Sequence, residues 1–352
     1  MLTNNVEVDN RRGAFRRWAP WVCAAIGVAA LAWALRRFDL NRFRAVVANA
    51  DLRFVLLVPL TIIVEQLVRG WKWRQLLWPL KSIRSLYLFG AVMAGYLLAI
   101  AVPFGFGTVA RSWLVAQRED LRFSTVLATV ALDRLTDGIV FACLVPAAVL
   151  FVAFPDPGGV RTGLIWSGAG SLILFVGSLA VLVIYRQQAL NPAGRLLWLV
   201  DRLPPWLALP LRRVASSFAQ GIIWPRQMWR GGAIILASLV MKVIAATQFV
   251  GAGLAFAIGL APAEYLFLMV FLGFLVIIGH FAGIAGGFII GAVFALTLLG
   301  VPEEEALAME LIVQASSLLS VACVGAFTLW LQGIALADVR SGAKRAVDVR
   351  SG

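Results

Sequence analysis

Asp133-Arg134-Leu135-Thr136-Asp137 stands inside the otherwise uncharged run 123–154. A charge at the middle of a bilayer costs ~3 kcal/mol on insertion scales, so three within five positions require a reason. Asp133 and Asp137 are spaced i,i+4 and share a helix face, while Arg134 projects roughly 100° away. Two kinds of chemistry fit. One is an internal salt bridge that locks two helices. The other is a polar path for a lipid headgroup or a coupling proton. Arg111 and Lys242 are the expected partners. Lys242 is the only charge of the apolar stretch 231–260 and lies too deep to snorkel.

A second constellation is Pro103-x-Gly105-x-Gly107-x-x-x-Arg111. Proline and glycine break a helix there, and a new half-helix can start near Gly107. Its free N–H groups and positive dipole end would favour an anion such as phosphate. A kinked, closely packed helix is the competing reading. A corresponding break falls at Gly279-His280 and at 283–287, which includes Gly286 and Gly287. His280, the only histidine, is either a packing residue or a polar group at that break. Glu65 precedes Arg69 by one helical turn and reads as an interfacial pair. Glu303-Glu304-Glu305 after Pro302 reads as an acidic helix start.

The elements that must position these residues are membrane helices. The 352 residues are 61% hydrophobic with mean hydropathy +0.89, against about half apolar in soluble domains. Long continuous apolar segments favour helices over the alternating strands of a barrel. The fold class is therefore all-α, a polytopic membrane helical bundle. Apolar spans are predicted near 18–35, 54–68, 86–104, 123–154, 163–185, 231–260, 264–299 and 306–334. The first reads as an uncleaved helix rather than a signal peptide. Segment 186–230, with seven arginines and Trp198, Trp206, Trp224 and Trp229, reads as interfacial helices that divide two halves.

Net charge is +13, from 27 Arg and 4 Lys against 18 acids. The basic residues fall mostly between apolar spans, where they orient the chain and meet anionic headgroups, so nucleic acid is not the expected partner. Both 69–84 and 111–122 are basic, yet they flank one span. A single crossing cannot put both on one side; a re-entrant hairpin broken at 103–107 can. The broken 264–299 span would enter from the opposite face. Two such breaks of opposite sense are the sign of inverted repeats. Segment 36–53 carries five arginines and falls on the wrong side, which an amphipathic interfacial helix would explain.

No enzyme constellation stands in a credible context. One histidine excludes multi-His metal sites, and no nucleophile elbow, zincin motif or nucleotide fingerprint is present. No catalytic residue, metal or cofactor is expected. Cys23, Cys143 and Cys323 sit in apolar spans and read as small packing residues.

The ordered set Arg69-Gly-Trp-Lys-Trp73, Pro103-x-Gly-x-Gly107-x-x-x-Arg111, Leu132-Asp-Arg-Leu-x-Asp137, and Gly286-Gly287 followed by Leu299-Gly-Val-Pro302 resembles the flippase-like membrane domain of the lysylphosphatidylglycerol synthase family, as in stand-alone members without the synthase domain. The resemblance covers about 20–335. It implies an inner-membrane protein of two inverted repeats that moves lipids or lipid-linked molecules across the bilayer. Four departures stand out. Thr108 takes the place of an acid before Arg111. Asp133 replaces a glutamate. The acid expected after the glycine pair is absent, with Gly291 nearby. Gln314 replaces an arginine.

The expected organisation is a cytoplasmic tail (1–17), one transmembrane domain (18–335) and a second cytoplasmic tail (336–352). The domain comprises halves at 18–185 and 231–335 around the linker 186–230. The leading expectation is a lipid translocase whose headgroup path uses Arg111, Asp133, Arg134, Asp137, Lys242 and His280, with Gly105, Gly107, Gly286 and Gly287 shaping the hairpins. Anionic phospholipid, polyisoprenoid and hopanoid are the cargo classes. A non-transporting scaffold for a lipid-synthesis enzyme or glycosyltransferase and an ion-coupled solute transporter are the alternatives; a homodimer is compatible with each.

Overall fold

The computed structural model describes residues 40–101, 106–152, 159–190, 205–282 and 285–331. These form eleven helices and no strand among the described residues. The predicted first helix at 18–35 and both tails lie outside them.

Helix α1 (Leu40–Ala48) meets α2 (Leu52–Leu77) at a bend of 80°. This accounts for the basic 36–53 segment: part of it runs sideways before the chain enters the bundle. Asp51 caps α2, its Oδ1 accepting from the Arg53 N–H at 2.9 Å, and Trp78-Pro79 follows its last turn. The remaining helices are α3 (Ser85–Ala101), α4 (Phe106–Glu119), α5 (Phe123–Leu150), α6 (Val160–Leu190), α7 (Pro205–Gly221), α8 (Met228–Ala255), α9 (Pro262–Ala282), α10 (Ala285–Leu298) and α11 (Glu303–Leu331). Of these, α6, α8 and α11 are each long and apolar enough to cross a bilayer. Helix α5 is as long but carries the three charges.

Helices α2 and α8 form the antiparallel spine. At one end the Asp51 N–H donates to the Ala255 carbonyl at 2.9 Å. At the other, Arg230 donates to Gln75 Oε1 at 2.6 Å. Each is followed by a broken helical pair, so the two pairs start from opposite ends of the bundle. In the first, Lys81 lies 3.0 Å from Glu119, and Tyr87 donates to the Leu114 carbonyl. The pair α3–α4 therefore runs inward and returns to the same end, as its flanking charges required. In the second, Ile258, Tyr265, Leu296 and Val301 share one buried cluster, bringing the outer ends of α9 and α10 together. The break residues 102–105, Gly105 among them, and 283–284 lie outside the described residues.

Two large apolar clusters, each drawing on both halves, hold this together. Trp73, Leu76, Leu88, Val126, Leu132 and Ile234 fill the first. Phe267, Leu268, Leu296 and Met309 fill the second, joined to α5 through an edge-on Phe141–Phe274 pair at 5.2 Å. The predicted interfacial linker is shorter than 186–230, because α6 continues to Leu190. Helix α7 packs across α5 and α6: Thr125 donates to the Ser217 carbonyl at 2.7 Å and Tyr185 to that of Ala215 at 3.0 Å. Cys143 and Cys323 are free and exposed, not enclosed as the packing residues expected. They tolerate that position because a thiol is apolar enough for a lipid-facing site.

Candidate functional site

The span predicted at 54–68 does not end there. Its buried positions Ile62, Gln66, Arg69, Trp73 and Leu76 continue the helical period to Leu77. That continuation carries Arg69 and Lys72 into the protein, not into a basic segment beyond the span as expected. Their presence is explained by what they face. Arg69 lies 2.8 Å from Asp137 Oδ2 and 3.9 Å from Asp133; Lys72 lies 3.0 Å from Asp133 Oδ1 and 2.5 Å from Asp137 Oδ1. Ser238 of α8 donates to Asp137 at 2.9 Å, and Lys72 also donates to the Asp133 carbonyl. Asp133 and Lys72 are both 0% exposed. An ion pair removed this far from water needs good geometry and hydrogen bonds; Asp137 has both, while Asp133 Oδ1 rests on its ion pair with Lys72 without a hydrogen bond.

The lattice extends at each side. Arg69 donates to Gln66 Oε1 at 3.1 Å and to Glu65 Oε1 at 3.3 Å; Gln248 of α8 donates to Glu65 Oε2 at 2.8 Å. The Glu65–Arg69 pair is thus present, but inside the helix bundle. On the other side Arg111 reaches Asp133 Oδ2 at 3.4 Å and stacks 5.1 Å from the Trp73 ring, whose indole N–H donates to Thr129.

Close glycine contacts set the position of Arg111. A Cβ on Gly107 would stand 2.4 Å from the Gly95 carbonyl oxygen, and one on Gly95 would stand 3.0 Å from Arg111 Cβ. Only residues without side chains let α4 lie this close to α3 and carry Arg111 past it. Arg111 Nε and Nη1 are buried with no hydrogen-bond partner.

Two of the expected site residues, one of them the expected partner Lys242, stand apart from the lattice. Lys242 makes no ion pair with Asp133 or Asp137. It lies in the same electrostatic neighbourhood, with its Nζ 5.6 Å from the Phe141 ring. Arg69 and Lys72 occupy the carboxylates first, which removes the need for Lys242. Arg134 is exposed and unpaired among the described residues, about 100° around α5 from Asp133, and it interacts electrostatically with Arg111 and Tyr96. Five cations (Arg69, Lys72, Arg111, Arg134, Lys242) therefore face three carboxylates (Glu65, Asp133, Asp137). The two excess charges and the bare Arg111 N–H groups suit an incoming anion.

His280 lies in the last turn of α9, and Gly286 and Gly287 in the first turn of α10; their surroundings fall outside the described residues. In place of a second charged lattice, this half shows Glu310. It is 1% exposed, and its carboxylate accepts from Gln314 Nε2 at 2.9 Å. Sequence reading passed over Glu310, although it stands alone in the apolar part of α11 and four residues before the noted Gln314. Arg69 and Lys72 could have been found from Glu65, Arg69 and Lys72 at i, i+4 and i+7 on one helix face.

The family model described as "Lysylphosphatidylglycerol synthase TM region" matches residues 21–325. No curated protein and no solved structure matches.

Proposed function

Since this membrane chain belongs to the lysylphosphatidylglycerol synthase TM region family, we propose that it translocates a lipid with a phosphate-bearing headgroup across the cell's inner membrane. The observation that carries this reading is the unspent positive charge. Arg111 has buried N–H groups without acceptors, and Arg134, in its electrostatic neighbourhood, is exposed with no carboxylate partner among the described residues. A guanidinium pair of this kind offers charge-assisted hydrogen bonds to phosphate oxygens. Asp133 and Asp137 are not free to contact a headgroup in this state. They hold Arg69, Lys72 and Arg111 in place, and so position the cationic face.

Two broken helical pairs starting from opposite ends are the arrangement used by inverted-repeat transporters, and they would give the headgroup access from either leaflet in turn. The phosphate chemistry favours phospholipid or polyisoprenyl phosphate over a hopanoid. The test is headgroup movement in vesicles reconstituted with the purified protein. It uses labelled phosphatidylglycerol, labelled polyisoprenyl phosphate and phosphatidylcholine as control, with Arg134→Gln alongside. Movement of an anionic lipid that falls in the variant supports the reading. Movement no faster than in empty vesicles for every lipid rejects it.

The locked α2–α5 lattice also favours a second reading, a static scaffold for a lipid-synthesis enzyme. In that case Arg134→Gln changes nothing, and a stoichiometric enzyme partner co-purifies.

A further inference from the structure

A second cationic site lies outside the lattice, at the end of the bundle where α2 finishes and α8 begins. Trp78 follows Leu77, so it stands about 13 Å along α2 from Arg69. There a cleft of about 670 Å³ is lined by Trp78, Arg186, Trp224, Arg226, Gln227 and Arg230. Its parts come from three separate stretches: the end of α2, the last turns of α6 and the 222–230 corner. Among the described residues no carboxylate lines it, and none lies within 4 Å of Arg74, Arg186, Arg226 or Arg230.

Two of the arginines, Arg230 and Arg74, are held by neutral groups. Arg230 is stacked 3.8 Å from the Trp78 ring and 4.5 Å from that of Trp229, and it donates to Gln75 and Gln227. Arg74 lies over Trp78 at 5.5 Å. Arg74 Nε and Arg186 Nε are buried and have no acceptor. Trp224 sits in the wall because Gly231 leaves room: a Cβ there would meet the indole nitrogen at 2.7 Å. Guanidinium groups fixed by stacking and by amides, but left unneutralised, are preorganised for an oxyanion. Half-exposed Trp78, Trp224 and Trp229 mark the level of the headgroups.

We infer that this cleft is a binding site for a phosphate ester carrying net negative charge, separate from the translocation site. The inference does not depend on translocation. The site would hold one anion at the basic end of the bundle, where Arg186 of α6 lines the same cleft as Trp78 and Arg230.

The test is calorimetric titration of the full chain in detergent, in the Arg134→Gln background, so that the lattice site contributes least. Titrants are short-chain phosphatidylglycerol, short-chain phosphatidylcholine, glycerol 3-phosphate and inorganic phosphate. Phosphatidylglycerol should bind and phosphatidylcholine should not. Arg226 is exposed and unpaired, so Arg226→Gln leaves the fold intact. Together with Arg186→Gln it should weaken binding by about tenfold or more, the equivalent of one lost charge-assisted contact, while Arg226→Lys should retain most of it. Competition by glycerol 3-phosphate or inorganic phosphate alone would assign the cleft to soluble phosphates. Absence of competition would assign it to the lipid. Equal affinity for phosphatidylcholine, or unchanged affinity in the Arg186→Gln, Arg226→Gln protein, would overturn the inference.

Discussion

The first helical pair, α3–α4, closes on a backbone contact. Its Gly107 approaches the Gly95 carbonyl so nearly that a methyl group has no place, and Arg111 rides past α3 on that contact into a lattice of charges. In the second, α9–α10, the corresponding close approach is Gly291 against the end of the Leu275 side chain. Beyond it lie a phenylalanine-rich core and Glu310, the single buried acid among the described residues of that half. The shapes are alike and the chemistry is not. A bundle can keep two broken helical pairs that start from opposite ends while concentrating its polar groups in one half.

The largest expected effect is on the lattice. Asp137→Leu leaves Arg69 and Lys72 short of a partner and should destabilise the protein by ~3–5 kcal/mol. Adding Lys72→Met should recover part of the loss, as coupling within one network requires. Thermal unfolding in detergent of the two single variants and the double variant measures this; strict additivity would mean that the charges are not coupled. Next comes the contrast between the glycines. Gly107→Ala meets a backbone oxygen at 2.4 Å, whereas Gly291→Ala meets the flexible end of Leu275. The first should cost ~1–3 kcal/mol, the range of an overpacked core, and the second less. Equal losses would erase the difference between the two pairs.

Two smaller effects sharpen the comparison. Glu310→Gln keeps an acceptor for Gln314 and should change stability by less than ~1 kcal/mol, with lipid movement intact in the vesicle assay. Loss of movement there would place polar chemistry in the second half as well. Lys242→Met removes a cation that has no ion pair, so its unfolding temperature should stay within ~2 °C of the wild type.

Much of the architecture was legible because apolar length and breaker residues are local signals. The runs beginning near 86, 123, 231 and 306 became α3, α5, α8 and α11, and Pro103 and 283–287 marked both breaks. The Asp133–Asp137 pair announced itself by its energetic improbability in an apolar run. Its true partners did not. Arg69 and Lys72 stand near the end of α2, where basic residues ordinarily mark a membrane boundary, so charge counting moved them outside. Only the packing of α2 on α5 shows that they face the aspartates. Lys242 misled in the opposite sense, being deep in its helix and yet unpaired. Gly95 escaped notice because one glycine in an apolar helix has no signature until the facing helix is known.

The central claim is that the first half supplies the cationic face that moves the headgroup. Arg134 tests it most directly, because it is exposed and unpaired and its loss disturbs no contact in the fold. In vesicles with equal protein content, Arg134→Gln should slow anionic-lipid movement by about tenfold or more, as the loss of one positioned charge implies, with an unchanged unfolding temperature. A variant that moves lipid at the wild-type rate would contradict the account.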